Sequence, residues 1–203
     1  VDEFIRRNRP DVIINCAAYT AVDKAESEEE LAKKINADGP KNLAIAANKN
    51  NCKLVHISTD YVFGGDLSLE EIYKEDAPKA PVTAYGRTKL AGEEAIEENT
   101  KDFYIFRTAW LYGDGKNFVR TMLKFGKEKE EVSVVYDQHG SPTYAVDLAD
   151  IIYQALEKEI PYGIYHTTNL GFTTWYDFTK KIYEIAGISC RVNPVTSEQF
   201  ASA

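Results

Sequence analysis

Cysteine is nearly missing from this sequence. Only three occur, Cys16, Cys52 and Cys190. They are odd in number and far apart, and none sits in a Cys-x-x-Cys pair. That argues against a thiolate metal site and against a disulfide framework. Two of them fall in or beside apolar, strand-like runs, so buried, reduced thiols in a cytoplasmic setting are expected. Histidine is as scarce. His56, His139 and His166 are scattered; His56 and His166 read as packing residues of strands, and none is given a role. No apolar run approaches the ~20 residues that cross a bilayer, so no membrane partner is expected. Basic charge is short as well, with Lys+Arg 24 against Asp+Glu 32 and a net charge of −8. Phosphate backbones call for basic patches, so no nucleic acid partner is expected. There is no internal repeat and no low-complexity tract. No G-x-G-x-x-G follows a strand anywhere. Gly113-Asp114-Gly115 begins like one, but Phe118 stands where the third glycine belongs.

What the chain does have is alternation of strand and helix. Residues 1–8 read as the tail of a helix, and residues 11–18, after Pro10, as a buried strand. Ser27-Glu28-Glu29-Glu30 has the form of a capping box, with Ser27 as cap and Glu30 reaching back. A helical pattern follows over 31–50, with a break near Gly39-Pro40. Asp23, Glu26, Glu28, Glu29 and Glu30 then form a solvated helix start favoured by the helix dipole. Strands are expected at 54–58, 103–107, 132–136 and 163–166. Helices are expected at 85–97, 117–127, 146–157 and 174–186, the last capped by Thr174 and ended by Gly187. This order predicts an α/β protein built on a doubly wound parallel sheet.

One stretch carries chemistry: Thr83-Ala84-Tyr85-Gly86-Arg87-Thr88-Lys89. Residues four apart share a helix face, so Tyr85 and Lys89 stand one turn from each other. A phenol ordinarily titrates near 10, and an ammonium beside it favours the phenolate and lowers that value. A tyrosine tuned in this way acts as general acid or base on a substrate oxygen. Alone, the pair equally suits an ordinary helix surface. Upstream, Cys52 to Asp60 reads as a buried strand ending in Ser58, Thr59 and Asp60, and the carboxyl ends of strands are where parallel sheets hold their sites. Arg120 and Lys124, also four apart, form a basic helical face that suits an anionic diphosphate or plain solvated surface.

A hydroxyl at a strand end, a loop and then Tyr-x-x-x-Lys resembles the short-chain dehydrogenase/reductases, in their extended, nucleotide-sugar-modifying branch. The likeness is closer to one family. Asn15-Cys16-Ala17-Ala18-Tyr19-Thr20-Ala21-Val22-Asp23-Lys24-Ala25-Glu26, Ser58-Thr59-Asp60-Tyr61-Val62-Phe63 and Arg107-Thr108-Ala109-Trp110-Leu111-Tyr112-Gly113 are similar to stretches of the dTDP-4-dehydrorhamnose reductase family. Asn117 to Met122, Asp137 to Thr143 and Trp175 to Phe178 continue the match in the family's order. Gly64 departs from it, since the family usually has Asp after the phenylalanine.

The resemblance implies a Rossmann-like fold and reduction of the 4-keto group of dTDP-4-dehydro-L-rhamnose by NADPH or NADH. The partner it implies is a nucleotide sugar, a dTDP-linked 4-keto-6-deoxyhexose; it leaves a homodimer open. Thr59, Tyr85 and Lys89 would be catalytic, Tyr85 giving its proton to the keto oxygen. Ala17, Ala18 and Tyr19, with Tyr85 and Lys89, would hold the cofactor, and Thr59, Asp60 and Trp110 the sugar. No metal is implied. Residues 1–112 and 141–157 would form an incomplete dinucleotide-binding core, and residues 113–140 and 158–203 a partial sugar-nucleotide part. In the family the glycine-rich turn lies in the first βα unit, so the expectation is a sequence lacking that βαβ portion and ending before the family's C-terminus. By itself such a chain is expected to bind dinucleotide poorly. Two other readings compete: a related epimerase or dehydratase, which recycles its hydride, and a non-catalytic regulatory subunit, which need not keep Thr59, Tyr85 and Lys89 together.

Overall fold

Valine, isoleucine and aromatic residues gather in short runs, and these become the strands of the computed structural model, which describes residues 1–68 and 71–202. The longer strands are β1 Val12–Asn15, β2 Lys53–Thr59, β3 Phe103–Thr108, β4 Glu131–Val135, β5 Gly163–His166 and β6 Arg191–Val195. The longer helices are α1 Asp2–Asn8, α2 Gly39–Asn50, α3 Ala84–Asn99, α4 Phe118–Glu128, α5 Ala145–Glu157 and α6 Trp175–Ala186. By its contacts the chain divides into two units: Val1–Thr108 with Glu159–Thr167, and Ala109–Lys158 with Thr168–Ala203.

The first unit is a four-stranded sheet in the order β1-β2-β3-β5. Every pair in it is parallel, as expected for a Rossmann-like α/β protein. Every residue of β3 is buried because strands flank it on both sides. Leu54 and Ile105 of the sheet pack with Ile5 of α1, Ala44, Ala46 and Ala47 of α2, and Ile96 of α3. Small alanines on α2 let that helix lie close to the strands.

Three expectations shift here. The first strand spans Val12–Asn15 rather than 11–18, and as an edge strand it is not fully buried: Ile14 is 52% exposed. Cys16, just past its end, is exposed, while Cys52 is buried and Cys190 half-buried. The helical pattern after residue 28 does break, but as a π-helical turn, Lys34–Asp38, between Glu29–Lys33 and α2. Pro40 has no N–H to return to the carbonyl of Asn36, which accounts for the interruption. The capping box at Ser27 does not form: the Ser27 hydroxyl donates to the Lys24 carbonyl at 3.1 Å, and Glu28 stands at the N-cap without a side-chain capping bond.

In the second unit β4 and β6 pair in parallel as a separate two-stranded sheet. Met122, Val132, Val134, Ile182 and Tyr183 form its core between this ribbon and helices α4 and α6. The boundaries differ from those expected: α5 and residues 109–112 fall in the second unit, and β5 in the first, because β5 hydrogen-bonds to β3.

Candidate functional site

β2 ends in extended backbone at Thr59, whose hydroxyl accepts from the Tyr61 amide at 3.2 Å and so caps the short 3-10 turn Asp60–Val62. The same hydroxyl donates to Asp60 Oδ1 at 3.0 Å. Asp60 is open to solvent yet ringed by protein, and that crowding raises its carboxyl above its ordinary value; the Thr59 bond and nearby amides work against the rise.

Helix α3 begins at Ala84, with the Thr83 hydroxyl accepting from the Gly86 amide at 3.0 Å. The acidic run upstream is not merely solvated. Glu26 Oε1 accepts from the Ala84 amide at 2.8 Å, and Glu29 takes Arg87 in a fork at 3.1 and 2.9 Å. Glu28 accepts from the Tyr19 hydroxyl at 2.5 Å. Glu26 and Glu29 therefore serve the N-terminus of α3, a helix distant in sequence, where negative charge is favoured. The helix sits tightly against its surroundings. A Cβ on Gly86 would come within 2.2 Å of the Tyr61 carbonyl oxygen, and one on Gly92 within 2.0 Å of that of Asn36.

Tyr85 is thereby set beside the end of β2, its ring edge-on to Tyr61 with centroids 5.4 Å apart. Burial pushes its phenol up to about 12; the Thr59 hydroxyl acts in the opposite sense, and the charges of Asp60 and Tyr61 add to the rise. The sequence spacing led us to expect the reverse, a phenol lowered by Lys89. The lysine is engaged elsewhere. Its Nζ donates to the Ile57 carbonyl at 2.6 Å and lies 3.2 Å from His56 Nε2, with the residue only 1% exposed. Burial pushes Lys89 down to about 8, opposed by the charge of Glu93.

Several residues around this centre had no part in the expectation. His56, fully buried, meets Asn15 Nδ2 with its Nδ1 at 3.0 Å. Asn36, in the π-turn, accepts from the Tyr19 amide at 2.8 Å and donates to Thr88 Oγ1 at 3.1 Å, tying the loop after β1 to α3. Arg107 and Glu93 form a buried ion pair at 2.7 Å, and Arg107 also donates to the Glu75 carbonyl at 3.0 Å. One signal was readable: a polar side chain inside an otherwise apolar buried strand must find a partner.

Of the expected site residues, Thr59, Asp60, Tyr85 and Lys89 come together at the carboxyl end of β2. Tyr19 and Tyr85 pack on one small cluster of Ala25, Ala32 and Ala84. Ala17 is exposed and Ala18 half-buried. The amides of Ala17 and Tyr19 are already bonded, to Asn15 and Asn36, so these residues offer contact surface rather than free donors. Trp110 lies in the second unit, with positive φ (47°) and its ring stacked on Trp175 at 3.5 Å between centroids. Arg120 there makes an exposed pair with Asp114 at 2.9 Å.

The hydroxyls of Ser58 and Thr108, both buried at strand carboxyl ends, have no hydrogen-bond partner among the described residues. Past the end of β1, exposed Ala17 and half-buried Ala18, beside half-buried Tyr19, offer a surface of small side chains of the kind on which a nicotinamide dinucleotide lies.

A parallel sheet whose second strand ends in Thr59, backed by a helix bearing Tyr85 and Lys89, defines the extended short-chain dehydrogenase/reductase class. Comparison with known proteins narrows this. The family model of the RmlD substrate binding domain matches residues 1–203. The chain is 47% identical over 191 residues to dTDP-4-dehydrorhamnose reductase of Salmonella typhimurium, covering 92% of this chain and 63% of that protein. The crystal structure of a dTDP-4-dehydrorhamnose reductase from Clostridium acetobutylicum superposes with a TM-score of 0.95 at 48% identity, over 98% of this chain and 70% of that one. That from Bacillus anthracis, in complex with NADP, gives 0.94 at 47%, with the same coverage of 98% and 70%. The chain belongs to the dTDP-4-dehydrorhamnose reductase family. It spans 63% of the length of the Salmonella relative.

Proposed function

We propose that this chain carries the reaction centre of an NAD(P)H-dependent reductase that converts the 4-keto group of dTDP-4-dehydro-L-rhamnose to the alcohol of dTDP-L-rhamnose. The observation that carries the reading is the convergence of Thr59, Tyr85 and Lys89 on one strand end, in a chain of this family. The reduced nicotinamide, when bound, supplies the hydride. The phenol of Tyr85, held up to about 12, stays fully protonated at neutral pH and so has its proton at Oη to give to the keto oxygen. The Thr59 hydroxyl holds that same oxygen in line. Lys89, with Ala17, Ala18 and Tyr19, holds the cofactor; Asp60 contacts the sugar, and Trp110 is assigned the same role on the resemblance alone. The NADP in the Bacillus anthracis relative favours NADPH over NADH. A homodimer in the cytoplasm belongs to the same proposal.

The test is Tyr85→Phe in the full-length protein. It removes one proton and keeps the ring, so turnover should fall by about 10²–10⁴-fold while dinucleotide affinity holds. Activity within about twofold of wild type would remove Tyr85 as the acid. An epimerase or dehydratase would instead leave the cofactor unconsumed, whereas a reductase oxidises one equivalent per sugar.

A further inference from the structure

His56 is buried, polar and unused by the reaction just described. Its ring joins two stretches that the sequence does not connect. On one side Asn15 Nδ2 lies 3.0 Å from Nδ1; on the other Lys89 Nζ lies 3.2 Å from Nε2. The direction of this chain can be read from its far end. The Ala17 amide can only donate, and it does so to Asn15 Oδ1 at 3.1 Å. That fixes the orientation of the Asn15 amide and turns its NH₂ group to the imidazole. An NH₂ group can only donate, so Nδ1 of His56 must be the bare nitrogen. The proton of a neutral imidazole then sits on Nε2, facing Lys89.

We propose that His56 is a positioning residue for Lys89: through the chain Ala17 N–H to Asn15, Asn15 to His56 Nδ1, and His56 Nε2–H to Nζ, it fixes the lysine head on β2 and favours its neutral amine. An ammonium has no lone pair and cannot accept from Nε2–H. Protonating Lys89 therefore obliges His56 to change tautomer, which sets Nδ1–H against the Asn15 NH₂ group and drives that amide to turn over. Turning it over would place an NH₂ group against the Ala17 amide. The protonation state of Lys89 is thus linked to the loop that opens at Ala17. Burial acts in the same sense, holding Lys89 near 8 and His56 well below its ordinary value. The other groups about the lysine are Glu93 on its own helix, itself held by Arg107 of β3, and Tyr85 one turn earlier. The consequence for catalysis rests on the proposed reductase reading; the tautomer and the titration do not.

Nitrogen-15 NMR of the imidazole and carbon-13 NMR of the Lys89 Cε, followed against pH in the protein without cofactor, test this directly. We expect a lysine midpoint near 8, with His56 in the Nε2–H tautomer above it and in the Nδ1–H tautomer below it, the two changes tracking one another. In His56→Leu the amine loses its donor, and the midpoint should rise by about half to one unit. His56→Gln, which retains a side-chain N–H, should restore part of the shift. A His56 tautomer that stays the same across the lysine midpoint, or a midpoint unmoved by His56→Leu in a folded variant, would overturn the proposal. Lys89→Ala with unchanged turnover would instead defeat the reductase role of the lysine and leave the NMR result standing.

Discussion

At the scale of residues, Tyr85 and Lys89 are displaced from their ordinary titration in opposite directions, and both displacements come from burial. This has a consequence for stability. Lys89 has a folded pKa of about 8, below that of the unfolded chain. A lowered lysine costs stability while both states are protonated, and the cost is relieved as pH rises from the folded toward the unfolded value, because the unfolded state then binds more protons. Wild-type stability should therefore gain about 2 kcal/mol relative to Lys89→Met between roughly pH 8 and 10. Denaturant unfolding at several pH values checks it; a flat difference between the two proteins would mean that the lysine is not desolvated. Above roughly pH 10 the raised phenol of Tyr85 acts oppositely, since unfolding then releases its proton. Tyr85 and Lys89 drew notice in the sequence because their spacing is local, and Thr59 because it closes a strand-like run. The lysine's partners did not, because Asn15 and His56 meet only through pairing of β1 with β2.

At the scale of elements, α3 is held at its start and at its middle. Glu26 and Glu29 grip its start, and Glu93 ties its middle to β3 through Arg107. Glu93 and Arg107 are 0% and 1% exposed in their side chains. Glu93→Gln leaves a buried guanidinium short of its counter-charge and should destabilise the fold by about 3–5 kcal/mol. Replacing both partners, Glu93→Leu with Arg107→Met, should recover most of that loss, since a buried pair is worth little against apolar residues of similar volume. Chemical denaturation of the single and double variants decides; a double variant as weak as the single would show that Arg107 is needed for its hold on Glu75 instead. The helices and most strands were legible from periodicity, and Thr174 and Gly187 mark the ends of α6 as expected. Capping signals were less reliable. The pattern at Ser27 has the right residues but its hydroxyl turns back to Lys24, whereas Thr196 and Gln199 form a complete capping box that drew no attention. Local chemistry permits a cap; the path of the incoming chain decides whether it closes.

At the scale of the whole molecule, the sequence order of the strands is not their order in space. The fourth of the longer strands, β4, belongs to the second unit, and the fifth, β5, completes the first unit's sheet. Nothing local distinguishes residues 132–136 from 163–166, because both are short β-branched or aromatic runs; only the partner does. The chain leaves the first unit after Thr108, returns for Glu159–Thr167 and leaves again. During translation this route imposes a delay. While the ribosome makes the intervening segment, the edge of β3 that will receive β5 carries unpaired Tyr104, Ile105, Phe106 and Arg107. Exposed apolar strand edges recruit other chains. Nascent chains stalled before Gly163 should therefore bind chaperones, or aggregate, far more than chains released past Thr167. Pull-down of arrested intermediates would register the difference, and equal capture at both lengths would mean that the sheet is sealed without β5. Between the synthesis of β3 and that of β5, the cell must shelter an open sheet edge.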